Sequence, residues 1–413
     1  WEHFQMPERT YRVYPYRWVV LAVFMAINLT IQTLWICFAP ITGLAARFYG
    51  VSDLQIGFLA MLYMIIYVPL SIPISGLIDT LGFRKGVGIG AVMLGVFGLL
   101  RGLFAADYTL VVIATVGLAI SQPFMLNAVS TVAARWFPMQ ERATASGLAL
   151  VAGFIGIAIG QVTSPMLVLR YGIPTMQMVF GVAAALSAVL FLLFAREAPP
   201  TPPCEPGQET RALMLDGLKS MLRMKDIWLL LFLFWVGNSA FNGVSTWIED
   251  ILRPRGFDVS QAGNLGGALL IGGVLGAIIV PALSDRLQKR KIFLLAGMIL
   301  AVPGLVGVTF AASFPWLVVS MLALGFFLMS LAPIAYQYAA EITFPAPEGT
   351  SNGLLNLAGQ LSVIFIYAMD ALKDGKGSFN LSLTLLVVLM VFASLLVIPL
   401  QESTTITAQP EEQ

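Results

Sequence analysis

Asn28, Gln32 and Trp35 stand four and three residues apart in the stretch NLTIQTLWICFAP, so on a helix they share one face. Asn352, Asn356 and Gln360 repeat the pattern in steps of four, and Asn238, Asn242 and Ser245 make a third such face. Amides supply neutral donors and acceptors, and an indole adds an N–H and a π-face. Groups of this kind recognise a polar or cationic solute without forming a covalent bond to it. Each stripe lies inside a long apolar run, where an unpartnered polar group is costly. A wet pathway between helices is the expected place for them. The structural alternative is helix-to-helix hydrogen bonding, at ~0.6 kcal/mol per interaction.

The elements that must position these residues are helices crossing a bilayer. Of 413 residues, 58% are hydrophobic and only 11% charged, against about 25% charged in a soluble chain; mean hydropathy is +0.86. Twelve apolar runs are each long enough for a ~30 Å hydrocarbon core. They cover residues 18–46, 54–79, 85–104, 108–135, 142–169, 173–195, 227–252, 261–283, 291–312, 315–340, 349–371 and 378–400. An all-α integral membrane fold of twelve transmembrane helices is therefore expected.

Sixteen of the 23 Lys and Arg fall in the tails and the even-numbered connections, which predicts cytoplasmic termini by the positive-inside rule. A net charge of +1 without a basic stripe points away from nucleic acid. Cys37 lies in a span and Cys204 in a connector, so no disulfide framework is expected. The first apolar run is too long for a signal-peptide core and reads as the first span.

The connector holds Pro199, Pro200, Pro202, Pro203 and Pro206, which forbid helix; the stretch 210–225 after it has amphipathic spacing. It divides the chain into a cytoplasmic tail (1–17), a six-helix bundle (18–195), a linker (196–226), a second bundle (227–400) and a C-terminal tail (401–413). The bundles look duplicated. GLIDTLGFRK with Asp79 follows span 2, and PALSDRLQKRK with Asp285 follows span 8. Pro138, Glu141 and Gly147 correspond likewise to Pro345, Glu348 and Gly353.

Duplicated six-span halves with these Asp-containing loops resemble the major facilitator superfamily, two pseudo-symmetric six-helix bundles. Its loop motif is matched by Gly76, Asp79, Gly82, Arg84 and Lys85. Asp79, Arg84, Lys85, Arg135, Asp285, Arg286 and Glu341 are the expected gating charges, holding the cytoplasmic side closed in one conformation and releasing it in the other. The stretches RFYGVSDLQIGFLAMLYMIIYVPLSIP, GIAIGQVTSPMLV and GFFLMSLAPIAYQYAAEITFPAPEGTSNGLLNLAGQ further resemble the feline leukaemia virus subgroup C receptor-related family, associated with choline and ethanolamine transport and with haem export.

The resemblance implies a central cavity with a span-1 tryptophan, here Trp35, and a span-11 glutamine, here Gln360. Two family positions differ: Asn242 stands where the family has a span-7 tyrosine, and Phe154 where it has a span-5 glutamine. The expected substrate-contacting set is Trp35, Gln32, Asn28, Gln360, Asn356, Asn242, Phe154, Tyr63 and Met64. All 22 Asp and Glu fall in tails, loops or span ends, Arg101 near the outer end of span 3, and the single His, His3, in the tail. With no ionisable group in the cavity, a proton relay is not expected.

The reading that follows is a monomeric transporter, with no cofactor and no enzymatic activity. It moves a small organic cation or polar neutral solute, choline-like by preference, by facilitated diffusion. Export of larger amphipathic compounds such as haem or drugs, with ion coupling open, is the alternative, and a membrane enzyme or receptor scaffold a third. Glycines in span 5 (Gly153, Gly156, Gly160) and span 8 mark close helix approaches. Met61, Met125 and Met329 are expected to face lipid or fill core.

Overall fold

The computed structural model describes residues 12–203, 221–287, 289–343, 348–375, 377–400 and 402. Among them, eleven helical segments are apolar and long enough to cross a membrane. One, Thr144–Phe194, contains two spans, divided at Gly172 (φ 82°, ψ 168°), so the twelve expected crossings are present. The same backbone geometry recurs at Gly82 (φ 86°, ψ 167°) between spans 2 and 3. Both turns reverse the chain within one residue, at a positive φ that only glycine adopts freely.

The spans run Arg17–Tyr49, Asp53–Leu81, Phe83–Leu103 and Tyr108–Trp136, then spans 5 and 6 on either side of Gly172. The second half runs Lys225–Thr246, Val259–Leu287, Lys291–Phe310, Phe314–Ile342, Thr350–Ala371 and Asn380–Val397. Span 1 begins, and span 12 ends, at what we call the terminal face; the other is the far face. Span 1 packs on span 5, span 3 on span 6, and span 8 on span 10. The expected glycine approaches hold here. A Cβ on Gly156 would lie 2.1 Å from the Leu29 carbonyl, and one on Gly272 2.1 Å from that of Leu322.

Three spans are broken. Span 1 is helical to Ile36, passes through a 3-10 turn at Ala39–Ile41, and resumes at Thr42. Pro40 has no N–H to continue the ladder. Span 4 breaks between Leu126 and Val129, and span 11 between Gln360 and Val363. Asn127 braces the span-4 break, donating to the Ser71 carbonyl (2.9 Å) and accepting from the Tyr67 hydroxyl (2.7 Å).

Arg101 lies in the last turn of span 3, as expected, and it is buried there. It is 1% exposed, and its Nη2 donates to the Leu34 carbonyl at 3.0 Å and to Cys37 Sγ at 3.0 Å. A cation thus meets the negative end of the first helix of span 1, where carbonyls lack intrahelical partners. Met61, Met64, Met125 and Met329 are all buried, so none of the four faces lipid.

The amphipathic stretch 210–225 lies outside the described residues except for 221–225, and Pro345 lies outside them too. The start of the connector is tied to the N-terminal tail: Arg12 N–H donates to the Pro202 carbonyl (3.3 Å), and the Tyr14 and Thr201 hydroxyls are 3.0 Å apart.

Candidate substrate site

Between the halves lies a cavity of about 530 Å³. Asn28, Gln32 and Trp35 of span 1, Tyr63 and Met64 of span 2 and Phe154 of span 5 line it from one half. Asn242, Asn356 and Gln360 line it from the other. All nine residues expected from the sequence are therefore brought to one space. Ser245 and Asn352, the ends of two expected stripes, are not on its wall.

Gln122, Tyr336, Phe234 and Phe241 line the cavity as well. Gln122 of span 4 donates from Nε2 to Gln32 Oε1 at 3.1 Å. Tyr336 of span 10 donates to Asn356 Oδ1 at 2.6 Å. Phe234 and Phe241 add two rings from span 7, so the side lacking a tyrosine at position 242 still presents aromatic surface. Neither Gln122 nor Tyr336 has a polar residue three or four positions away in the sequence, so no stripe reveals them.

The amides are held in place. Asn28 donates to the Phe24 carbonyl of its own helix (3.0 Å), and Asn242 to Ser362 Oγ at the span-11 break (3.1 Å). The Trp35 indole N–H is taken by the Ala60 carbonyl at 3.1 Å; Trp35 therefore offers the cavity its ring. Six aromatic residues line the wall (Trp35, Tyr63, Phe154, Phe234, Phe241, Tyr336), and no Asp, Glu, Lys or Arg does. Such a wall presents π-faces and amide dipoles to the cavity.

The cavity extends to the terminal face at Thr144, Gly147 and Leu148, where Thr144 and Leu148 are exposed. At the far face it is sealed by contacts between the halves. Gly57 of span 2 lies against Trp247, and a Cβ there would be 2.4 Å from the indole ring. Gln161 of span 5 donates to the Ser245 carbonyl of span 7 at 3.0 Å. Glu249 Oε2 accepts the Gly43 N–H at 2.8 Å, and Arg253 Nη2 donates to Asp53 Oδ2 at 2.5 Å. Asp53 is fixed at the start of its helix by a capping box between Ser52 and Gln55.

Of the expected gating charges, Arg135 in the first half and Asp285 and Glu341 in the second join ion-pair clusters, one in each half. Arg135 pairs with Glu197, whose carboxylate also accepts the Phe83 N–H (2.9 Å) and Arg84 N–H (2.7 Å). In the second half Arg290 pairs with Asp285 and, at 3.1 Å, with Glu341. Glu402 accepts the Arg290 N–H (2.6 Å) and Lys291 N–H (3.2 Å) there. Asp79, Arg84, Lys85 and Arg286 are exposed, and Asp79 enters no ion pair among the described residues. The first-half cluster is thus organised by Glu197 rather than by Asp79. The two capping glutamates, Glu197 and Glu402, carry the duplication further than the loop motifs.

Residues 20–367 match the family model of the Major Facilitator Superfamily. The chain is 29% identical over 384 residues to the human choline/ethanolamine transporter FLVCR2, covering 88% of this chain and 73% of that protein. It is 30% identical over 408 residues to the mouse choline/ethanolamine transporter FLVCR1, covering 90% and 71%. It is also 29% identical to the zebrafish solute carrier family 49 member A3, covering 88% and 80%. Among solved structures, a bacterial homologue of the human lysosomal transporter Spinster, inward-facing and unoccupied, superposes with a TM-score of 0.72 at 16% identity, covering 94% of this chain and 97% of that one.

Proposed function

This chain belongs to the Major Facilitator Superfamily and, within it, to the family of the FLVCR transporters, and we propose that it moves a small organic cation of the choline class. It is a multi-pass membrane transporter. The observation that carries the substrate class is the wall of the cavity: six aromatic rings and seven amides with no formal charge among them. A quaternary ammonium ion is held by ring faces at roughly 0.5–2 kcal/mol each, while the amides take up a hydroxyl. Relatives that carry a substrate in their names are choline/ethanolamine transporters, which supports the same class.

In this reading the termini face the cytoplasm, and the bundles 18–195 and 227–400 rock about the cavity in alternating access. The far face is then the outside. The sealed far face and the wall reaching Thr144 and Leu148 are the inward-open state. Transport is facilitated diffusion, driven by the solute gradient and by ~2.3 kcal/mol per charge per 100 mV of membrane potential.

Choline and its uncharged isostere 3,3-dimethylbutanol separate a cation site from a neutral one. Choline should protect the detergent-solubilised protein from heat at a concentration at least tenfold below that of the isostere. Equal protection would assign the site to neutral solutes.

A further inference from the structure

Span 7 stops at Thr246, and the short helix Ile248–Leu252 that follows turns two carboxylates into the outer seal. Glu249 is 3% exposed and Asp250 1%. Glu249 has its partner across the interface in the Gly43 N–H. Asp250 has one on Oδ1, from Arg253 Nη2 at 2.7 Å, while its Oδ2 is buried with none. The same Nη2 serves Asp53 of the other half, and Nη1 donates to Glu249 Oε2 at 3.3 Å, so one guanidinium faces three carboxylates. Two other cations lie near. Arg47 of span 1 donates from Nε to its own Gly43 carbonyl at 3.1 Å. Lys373, after span 11, is paired with Asp370 and sits 4.9 Å over the Trp247 ring. A buried carboxylate oxygen without a donor is strongly disfavoured when charged.

We propose that the Asp250 carboxyl binds a proton when the two halves close on the outer side and releases it when they part, so that external pH sets how readily the outer gate opens. The central cavity stays uncharged, and the gate becomes the pH-sensitive part of the cycle. The proposal rests on the transporter reading only for assigning this face to the outside.

Burial, with Glu249 and Asp53 beside it, raises Asp250 well above the ordinary carboxylate range, against the opposing pull of Arg253 and Lys373. Burial raises Glu249 as well, opposed by Arg253 and the Gly43 N–H. In the open state Asp250 meets water and titrates as an ordinary carboxylate, whereas Glu249 keeps Arg253, four residues along its own chain, in either state. The closed state therefore holds the proton more tightly. It is favoured at low pH and loses that advantage as pH rises through the raised value.

The test reads the gate without any solute. Nitroxide labels replace Phe104 and Phe310, exposed residues at the outer ends of spans 3 and 9, in a Cys204→Ser background. Distances are measured by electron–electron double resonance in lipid nanodiscs from about pH 5.5 to 8.5. The long-distance population should grow with pH, by at most ~tenfold in open-to-closed ratio per pH unit for one proton. Asp250→Asn should flatten that dependence and keep the gate closed, with Asp250→Ser as a second variant should Asn fail to fold. Asp53→Asn, which only weakens the latch, should open the gate at every pH and keep the slope. A parent without pH dependence overturns the proposal, as does a slope surviving in the Asp250 variants. A slope lost only in Asp53→Asn moves the proton to Asp53 and overturns the assignment. Failure of choline transport leaves all of these readings intact.

Discussion

Gln122 Nε2 donates to Gln32 Oε1 at 3.1 Å, joining span 4 to span 1 at the wall of the cavity. The bond fixes which way the Gln32 amide faces a solute. Gln122→Leu leaves that carbonyl unpartnered, at a cost of about 1 kcal/mol. The half-saturating choline concentration should rise about fivefold in a proteoliposome uptake assay, with maximal rate little changed. An unchanged value would remove Gln122 from the site.

Gly57 lets span 2 approach the Trp247 ring within the outer seal. Gly57→Leu fills that contact and should hold the outer side open. A cysteine placed at Asn238, on the cavity wall, in a Cys204→Ser background, then reacts with an external impermeant maleimide several-fold faster than without the leucine. Equal rates would mean that the halves close elsewhere.

Glu197 and Glu402 cap the helices of spans 3 and 9 from across each half. Each caps two N–H groups at the positive end of a helix. Glu402→Gln should cost about 1 kcal/mol and lower the apparent Tm by roughly 2–4 °C, read by thermal shift, while the affinity for choline is retained. Glu197→Gln should cost more in transport rate, because Arg135 loses its partner as well.

Much of this architecture is legible in the sequence, for definite reasons. Twelve apolar runs of bilayer length announce the spans, and amides at helical spacing in spans 1, 7 and 11 announce a polar face that the structure turns to one cavity. Gln122 and Tyr336 are not legible because no polar residue stands three or four positions from either, so no helical face marks them. The depth of Arg101 depends on the break at Pro40 in another span, which frees the Leu34 carbonyl it reaches. Glu249 and Asp250 of WIEDILRPR read only as charges at a span end, although both are buried between the halves. Glu197 lies 114 residues from the N–H of Phe83 that it accepts, a pairing made only by the tertiary fold.

The central claim is that a cation crosses this protein over the Trp35 ring. The direct measurement is uptake of labelled choline into proteoliposomes with an inside-negative potential and no proton gradient, for the parent chain and for Trp35→Ala. We predict uptake that grows with the potential and falls at least tenfold in Trp35→Ala. Absence of choline uptake by the folded parent chain, or uptake indifferent to the potential and to Trp35→Ala, would contradict the account.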